Sequence, residues 1–321
     1  MSTNVMEAIS RIGMIPVISI DKAERAVPLA KALSKGGLPL MEVMFRTEAA
    51  AEAIKRIAAE MPDFIIGAGT VLTVEQVKKA AECGAKFLVA PGFNPEVCKA
   101  AKEIGLPIVP GCTSPTEVEA ARCLDLHVLK FFPAVENGGV PAMRLLSGPY
   151  PDVRFVPTGD LTRPLCNEYL AFHKVAAAGG DFMLSYDDIH ADNYEKISQD
   201  VEETILGYLH FHIAHMGMNA NSKEESIAMS TRLASVLNLG VRECAESSFA
   251  GKLFEVMYEP FFHSAGHVAI GTADATRAYH YLKRRGVEFY EDTVSYDQNG
   301  KIIAAYMKEN FGGFALHLLQ D

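Results

Sequence analysis

The sequence lacks several signatures that would settle its class at once. Its six cysteines, at positions 83, 98, 112, 123, 166 and 244, form no C-x-x-C pair and no metal-type spacing, which argues against a redox dithiol or a cysteine-held metal. No apolar segment with a cleavage site opens the chain, and no uncharged apolar run approaches the roughly 18 residues that span a bilayer. A reduced cytoplasm is the expected setting. Basic clusters are absent too: 30 Lys and Arg stand against 40 Asp and Glu, for a net charge of -10. Affinity for a phosphate backbone rests on clustered cations, so neither nucleic acid nor a membrane is an expected partner. Small-molecule chemistry is the expectation that remains.

What the chain does contain is a regular alternation. With 321 residues, 49% hydrophobic and 22% charged, it can form one large globular domain and a smaller one. Eight short apolar runs read as strands: "MIPVISI" (14–20), "LPLMEVMF" (38–45), "FIIGAG" (64–69), "KFLVA" (86–90), "LPIVP" (106–110), "HVLKFF" (127–132), "VRFVP" (153–157) and "HKVAAAGG" (173–180). Amphipathic segments such as "EAAAEAIKRIAAEM" (48–61) and "TVEQVKKAAECG" (73–84) separate them. The second opens on a capping box, Thr73 and Gln76, and closes at Gly84. Eight strand-helix repeats predict a (β/α)8 TIM barrel over residues 1–207. The rival, a doubly wound open sheet, usually carries G-x-G-x-x-G after its first strand, where this chain reads "SIDKAE".

Barrel chemistry sits at the C-terminal strand ends, and here those ends are polar. They supply Glu42 and Arg46, Thr70, Pro91, "PGCT", Lys130 and "PTGD". In "VLKFFPAVENGG" (128–139), Lys130 stands among Phe131, Phe132 and Pro133. Apolar surroundings disfavour an ammonium ion and leave an amine able to attack a ketone. Glu42 could move protons during carbinolamine formation and C–C cleavage, and Arg46 could grip a carboxylate through its fork of donors. Singly, such residues also serve as barrel-mouth ion pairs. The Gly138–Gly139 pair reads as the start of the sixth helix.

The motifs "MEVMFRT", "GAGTVL", "APGFNPEV", "PGCTSPTE", "KFFPAVENGG" and "FVPTG" resemble, in order and over residues 5–207, the 2-keto-3-deoxy-6-phosphogluconate / 4-hydroxy-2-oxoglutarate aldolases. The resemblance implies a class I aldolase, usually a homotrimer working without a metal. Such an enzyme reversibly cleaves a 4-hydroxy-2-oxo acid to pyruvate and an aldehyde. Lys130 matches the Schiff-base lysine and Glu42 the general acid/base. Arg46 and Thr70 match residues around the pyruvate carboxylate and keto group, and Pro91 and Phe132 match packing around the imine.

The sequence departs from this pattern after strands 7 and 8, where the family holds a substrate phosphate and often reads "PTGG" and "GGS". Here Thr158, Gly159 and Asp160 form "PTGD", and Gly179, Gly180 and Asp181 form "GGD". Two carboxylates facing a phosphate dianion repel it, at a cost on the order of a few kcal/mol per close pair at an effective dielectric near 20. A non-phosphorylated 2-keto-3-deoxy sugar acid or hydroxy-oxoglutarate is therefore the expected substrate. The alternative is that the two acids turn to solvent or cap the following helices.

From residue 208 to 321 the character changes. Seven of the ten histidines lie here, with shorter strands and a "DQNG" turn at 297–300. The order reads strand, helix, strands, twice: an α+β domain of paired βαβββ modules, the first reading as a strand short, with "VEFYED" (287–292) among the strands of the second. Over 210–320 this resembles the vicinal oxygen chelate (glyoxalase/dioxygenase) superfamily. The resemblance implies a divalent metal held at His215, Glu255, His267 and His317, although His210, His212 and His263 crowd the same regions. Three imidazoles and a carboxylate suit Zn, Ni, Fe or Mn. Three alternatives to a simple aldolase follow: a bifunctional protein with its own C-terminal keto-acid or sugar-acid reaction, a metal-dependent class II aldolase, and a ligand-binding regulatory protein on a degenerate barrel.

Overall fold

A computed structural model describes residues 2–260 and 265–321. They divide into two compact units, Met1–Ile205 and Leu206–Asp321. All six cysteines are free thiols. No helix among the described residues is long and apolar enough to cross a membrane.

In the first unit the helices are α1 (Ser2–Ile12), α2 (Ala26–Gly36), α3 (Ala50–Glu60), α4 (Val74–Glu82), α5 (Pro95–Glu103), α6 (Pro115–Arg122), α7 (Gly139–Ser147), α8 (Arg163–Ala171), α9 (Tyr186–His190) and α10 (Tyr194–Leu209), the last running on into the second. The strands are β1 (Met14–Ile18), β2 (Leu40–Met44), β3 (Ile65–Gly69), β4 (Phe87–Val89), β5 (Ile108–Val109), β6 (Val128–Phe131), β7 (Arg154–Pro157) and β8 (Ala178–Gly180). They pair in parallel in the order β5-β4-β3-β2-β1-β8, with β6 and β7 paired separately. Bridges from Gly111 to Lys130, Phe155 to Val175 and Thr158 to Gly179 join the two sets and close the barrel.

Its interior is filled by Ile15, Val17, Leu40, Phe87, Val89, Val109, Val156, Ala176 and Ala177, with Ile9 of α1 stopping the N-terminal end. Space for two of the inward side chains comes from β3. A Cβ on Gly67 would lie 2.3 Å from the Phe87 ring, and one on Gly69 would lie 2.0 Å from Glu42 Oε1. The bare inner face of "IIGAG" is therefore what lets a phenyl ring and a carboxylate enter the barrel.

Local signals set the helix starts. Thr73, Asn94, Ser114, Thr162 and Ser185 each accept a backbone N–H at the first turn of α4, α5, α6, α8 and α9. At α4 the return half of the expected box goes to Leu72, whose N–H donates to Gln76 at 2.6 Å. Gly138, at φ 90°, precedes α7 as its cap, and Gly139 is that helix's first residue.

The second unit contains β9 (His212–Asn219), α11 (Lys223–Leu237), β10 (Val241–Glu243), β11 (Ser247–Ala250), β12 (Phe254–Met257), β13 (Gly266–Thr272), α12 (Ala275–Arg284), β14 (Ser295–Tyr296), β15 (Ile302–Phe311) and β16 (Phe314–Gln320). One sheet runs β10-β11-β12-β9-β13-β16-β15-β14. Each half is a full βαβββ module, and the antiparallel pair β9/β13 joins them. Two expectations need correction. The first module is not a strand short: β10 is three exposed residues, too short and too polar to show a pattern. "VEFYED" is not a strand, because Glu291 turns away in a 3-10 turn to meet Lys283 at 2.7 Å and Tyr279 at 2.8 Å. Only Phe289 bridges to Met307.

Phe87 is fully buried in the barrel core. Phe87→Ala is expected to cost about 3–5 kcal/mol, measured as a lowered urea midpoint with an unchanged slope.

Candidate functional site

Lys130 is the third residue of β6 and is 6% exposed. Its N–H donates to Pro110 O and its carbonyl accepts from Cys112 N, both at 2.8 Å, so its backbone is held on both sides. Its Nζ lies 5.0 Å from the centroid of the Phe132 ring. Among the described residues Lys130 makes no ion pair. Glu42, on β2 between Val17 and Gly67, is 2% exposed, and its Oε1 has no hydrogen-bond partner among the described residues. Burial pushes its carboxyl pKa up, against the opposing pull of the Lys130 and Arg46 charges. An amine and an acid that feel one another therefore share the buried end of the barrel, the acid with one oxygen unpartnered among the described residues.

The other predicted residues gather around this pair. Arg46 Nε donates to Thr70 Oγ1 at 3.3 Å. Thr70 has φ 54°, a left-handed conformation that is a true outlier for a β-branched residue. The Pro91 carbonyl lies against Gly111, whose backbone bridges to Lys130. Thr158 N donates to Phe131 O at 3.0 Å, and Thr158 bridges to Gly179. Gly159 lies against the Phe132 ring, and Gly180 closes β8.

Asp160, at φ 49°, and Asp181 are both exposed. Neither caps a helix, since Thr162 and Ser185 take those positions. Sequence reading passes over Tyr186, whose hydroxyl accepts the Ser19 N–H at 3.0 Å across 167 residues. Burial raises its pKa, the Ser19 hydrogen bond lowers it, and the charges of Asp181 and Arg46 act on it in opposite directions. Only its place five residues after "GGD" could have signalled it.

In the second unit His215, His267 and His317 are buried, 8%, 1% and 5% exposed. His215 Nε2 lies 3.2 Å from His267 Nε2, and Glu255 Oε2 lies 3.1 Å from the first and 3.2 Å from the second. His317 Nδ1 is 3.1 Å from the Leu318 carbonyl, and its Nε2 is buried without a hydrogen-bond partner among the described residues. One ligand atom from each of the three imidazoles falls within 4.8 Å of the others. Burial, with the neighbouring His267 and His215, drives the His317 pKa down to about 3. Burial pushes the Glu255 carboxyl up, but hydrogen bonds from His215, His267 and Ser247 outweigh it and hold the group well below the carboxylate range. The three imidazoles therefore lie together, with Glu255 against two of them, His215 and His267. His210 and His212 lie on the surface, and His263 lies outside the described residues.

A closed barrel with a buried lysine and a buried acid at its C-terminal end defines the class of protein: a lysine-bearing (β/α)8 enzyme. The KDPG and KHG aldolase family profile matches residues 5–200, and the chain belongs to that family. It is 45% identical over 201 residues to a 2-dehydro-3-deoxy-phosphogluconate aldolase of Treponema pallidum, covering 63% of this chain and 96% of that protein. It is 41% identical over 194 residues to a KHG/KDPG aldolase of Escherichia coli, covering 60% and 91%. Among solved structures, a KDPG aldolase from Legionella pneumophila with pyruvate captured as a covalent carbinolamine is similar at TM-score 0.60 and 34% identity, covering 62% of this chain and 97% of that one. The protein is thus an aldolase, a lyase.

A carboxyl held above its unfolded pKa contributes stability that is full below the unfolded value and lost as pH rises through the folded one. Glu42→Gln is expected to remove that decline. Urea unfolding from acid to neutral pH should show the wild type losing stability relative to the variant, while the variant's kcat falls about 10²–10⁴-fold.

Proposed function

We propose that the barrel is a Schiff-base aldolase cleaving a 4-hydroxy-2-oxo acid, a 2-keto-3-deoxy sugar acid or 4-hydroxy-2-oxoglutarate, to pyruvate and an aldehyde. The observation that carries this reading is the buried Lys130 amine, free of any ion pair among the described residues and coupled to buried Glu42. The amine adds to the C2 carbonyl, and loss of water gives an iminium ion. Glu42 takes the C4 hydroxyl proton, the C3–C4 bond breaks, and its electron pair moves into the iminium to give an enamine as the aldehyde leaves. Protonation at C3 and hydrolysis release pyruvate and restore the amine. Arg46, placed by Thr70, holds the carboxylate. The steps need no metal. The carbinolamine captured in the Legionella relative supports the covalent route.

The distal half of the substrate meets Asp160 and Asp181. Both acids are exposed, as the solvent-facing alternative has it, and neither caps a helix; the non-phosphorylated aldehyde half is proposed on their charge alone, against relatives named for a phosphogluconate derivative. Borohydride with pyruvate should trap one adduct per wild-type chain and none on Lys130→Ala. In a panel of paired substrates, kcat/KM should favour the unphosphorylated acids. A strong preference for the 6-phosphate would sink the charge argument while leaving the imine intact.

A second reading applies to the C-terminal unit, as a vicinal oxygen chelate domain with a divalent metal and its own keto-acid or sugar-acid reaction. The donors fit: separations of 3.1–3.2 Å among His215, His267 and Glu255 are close to the edge of about 3.3 Å expected for a tetrahedron with bonds near 2.0 Å. The partnerless Nε2 of His317 completes the set. A bound ion there would supply Lewis-acid polarisation of a carbonyl. The chain's part is to hold three imidazoles and one ionised carboxylate ready. Chelator treatment should leave cleavage unchanged, which separates this centre from the barrel reaction.

A further inference from the structure

We propose that His210, His212 and Asp321 form a second divalent-cation site, on the surface of the C-terminal unit and independent of the buried histidines. One ligand atom from each lies within 4.8 Å of the other two. The rings of His210 and His212 are 5.4 Å apart between centroids. The hydrogen bonding around His212 fixes the chemistry. Its Nδ1 lies 3.1 Å from the His210 carbonyl oxygen, which can only accept, so Nδ1 carries the proton. Its Nε2 then faces Asp321 Oδ1 at 3.4 Å. A divalent ion can take the place of the ring proton between these two atoms, with His210 as its third ligand. A ligating histidine typically has this pattern, its second nitrogen donating to a backbone carbonyl and fixing the tautomer.

The backbone prepares the three side chains before any ion arrives. A Cβ on Gly271 would lie 2.5 Å from His212 Nε2 and 2.9 Å from Asp321 Oδ1, so in this arrangement both groups lie over bare backbone. His210 has φ 51°, a left-handed turn that histidine tolerates better than most residues. The turn is pinned because the preceding Leu209 carbonyl accepts from Thr272 Oγ1 at 2.6 Å and from Ala273 N at 3.1 Å. Asp321 N donates to Thr272 O at 3.1 Å. Two imidazoles and one carboxylate select a borderline divalent ion such as Zn²⁺ or Ni²⁺ over Ca²⁺ or Mg²⁺. Because His212 opens β9 and Asp321 follows β16, the ion staples the first strand of one module to the last strand of the other, across β13.

The test is equilibrium dialysis of the full metal-stripped chain with Zn²⁺ and with Ni²⁺, with the unfolding midpoint followed in parallel. The double substitution His210→Ala with His212→Ala is expected to bind one equivalent fewer than wild type and to lose the metal-dependent rise in midpoint belonging to that equivalent. Asp321→Asn should weaken the same equivalent at least tenfold. His317→Ala, which disables only the buried cluster, should leave it in place. These outcomes are read separately from the buried centre, which can bind or fail to bind without altering the difference. Equal stoichiometry in wild type and the double variant, with a pH-dependent midpoint alone, would mean an ordinary imidazolium–carboxylate pair and overturn the proposal.

Discussion

A carboxyl group without a protein partner, shut inside a barrel beside an amine, is the constraint around which the first unit is organised. Glu42 Oε1 has no hydrogen bond among the described residues, and burying such a group costs free energy that an apolar side chain would not. The site is affordable to the fold only because the cost is contained. Gly67 and Gly69 remove the side chains that would compete for space, and the charges of Lys130 and Arg46 partly offset the loss of water. A second local cost sits beside it, since Thr70 holds a left-handed φ of 54°, a conformation worth roughly 1–3 kcal/mol of strain. Packing does not explain either feature. Both place polar atoms at the C-terminal strand ends, the end at which barrel enzymes carry their chemistry.

Much of this was legible in the sequence, for a physical reason. Parallel strands covered on both faces read as unbroken apolar runs, and β1, "MIPVI", is buried at all five positions. The helix starts announced themselves through Thr73, Ser114 and their neighbours, because a side-chain oxygen at that position satisfies a backbone donor locally. Lys130 stood out as a charge at the end of such a run. Tyr186 did not, because what brings it to the mouth is a hydrogen bond to Ser19, 167 residues away, and no local pattern records such a contact. β10 is too short and too polar to carry a strand pattern, and at Glu291 an ion pair with Lys283 overrides a strand-like local composition.

The C-terminal unit shows how a repeated module can lose its symmetry at one point. The pairing Phe249 to Glu255 in the first module occupies the same place as Tyr306 to His317 in the second. His215 packs edge-on to Phe249, and His267 packs edge-on to Tyr306. The scaffold therefore presents equivalent histidines from its two central strands but sets glutamate and phenylalanine on one side against histidine and tyrosine on the other. The ligand that differs also changes the charge, since Glu255 is held ionised while His317 is held neutral. A doubly charged cation among these groups would be half neutralised by one side alone, which leaves a polarised centre with one apolar wall and one hydroxyl-bearing wall.

Selectivity at the barrel mouth follows the same logic of local charge against backbone geometry. Gly159 and Asp160 both have positive φ, 106° and 49°, the conformation in which glycine is unstrained and in which aspartate is tolerated because its short side chain can bond locally. Resemblance to the family places a glycine at the second position, so the aspartate adds strain as well as charge. A carboxylate at this turn opposes the approach of an anion. Asp181 repeats the change after the neighbouring strand. Two acids on these loops, neither used to cap a helix, would each repel a dianion brought close to them, and the proposed unphosphorylated substrate rests on that charge. They are easily reconciled with hydroxyl groups, which donate to carboxylates. On this reading one unchanged amine and acid serve the bond-breaking end of the substrate, while the other end is chosen by which loops carry a charge.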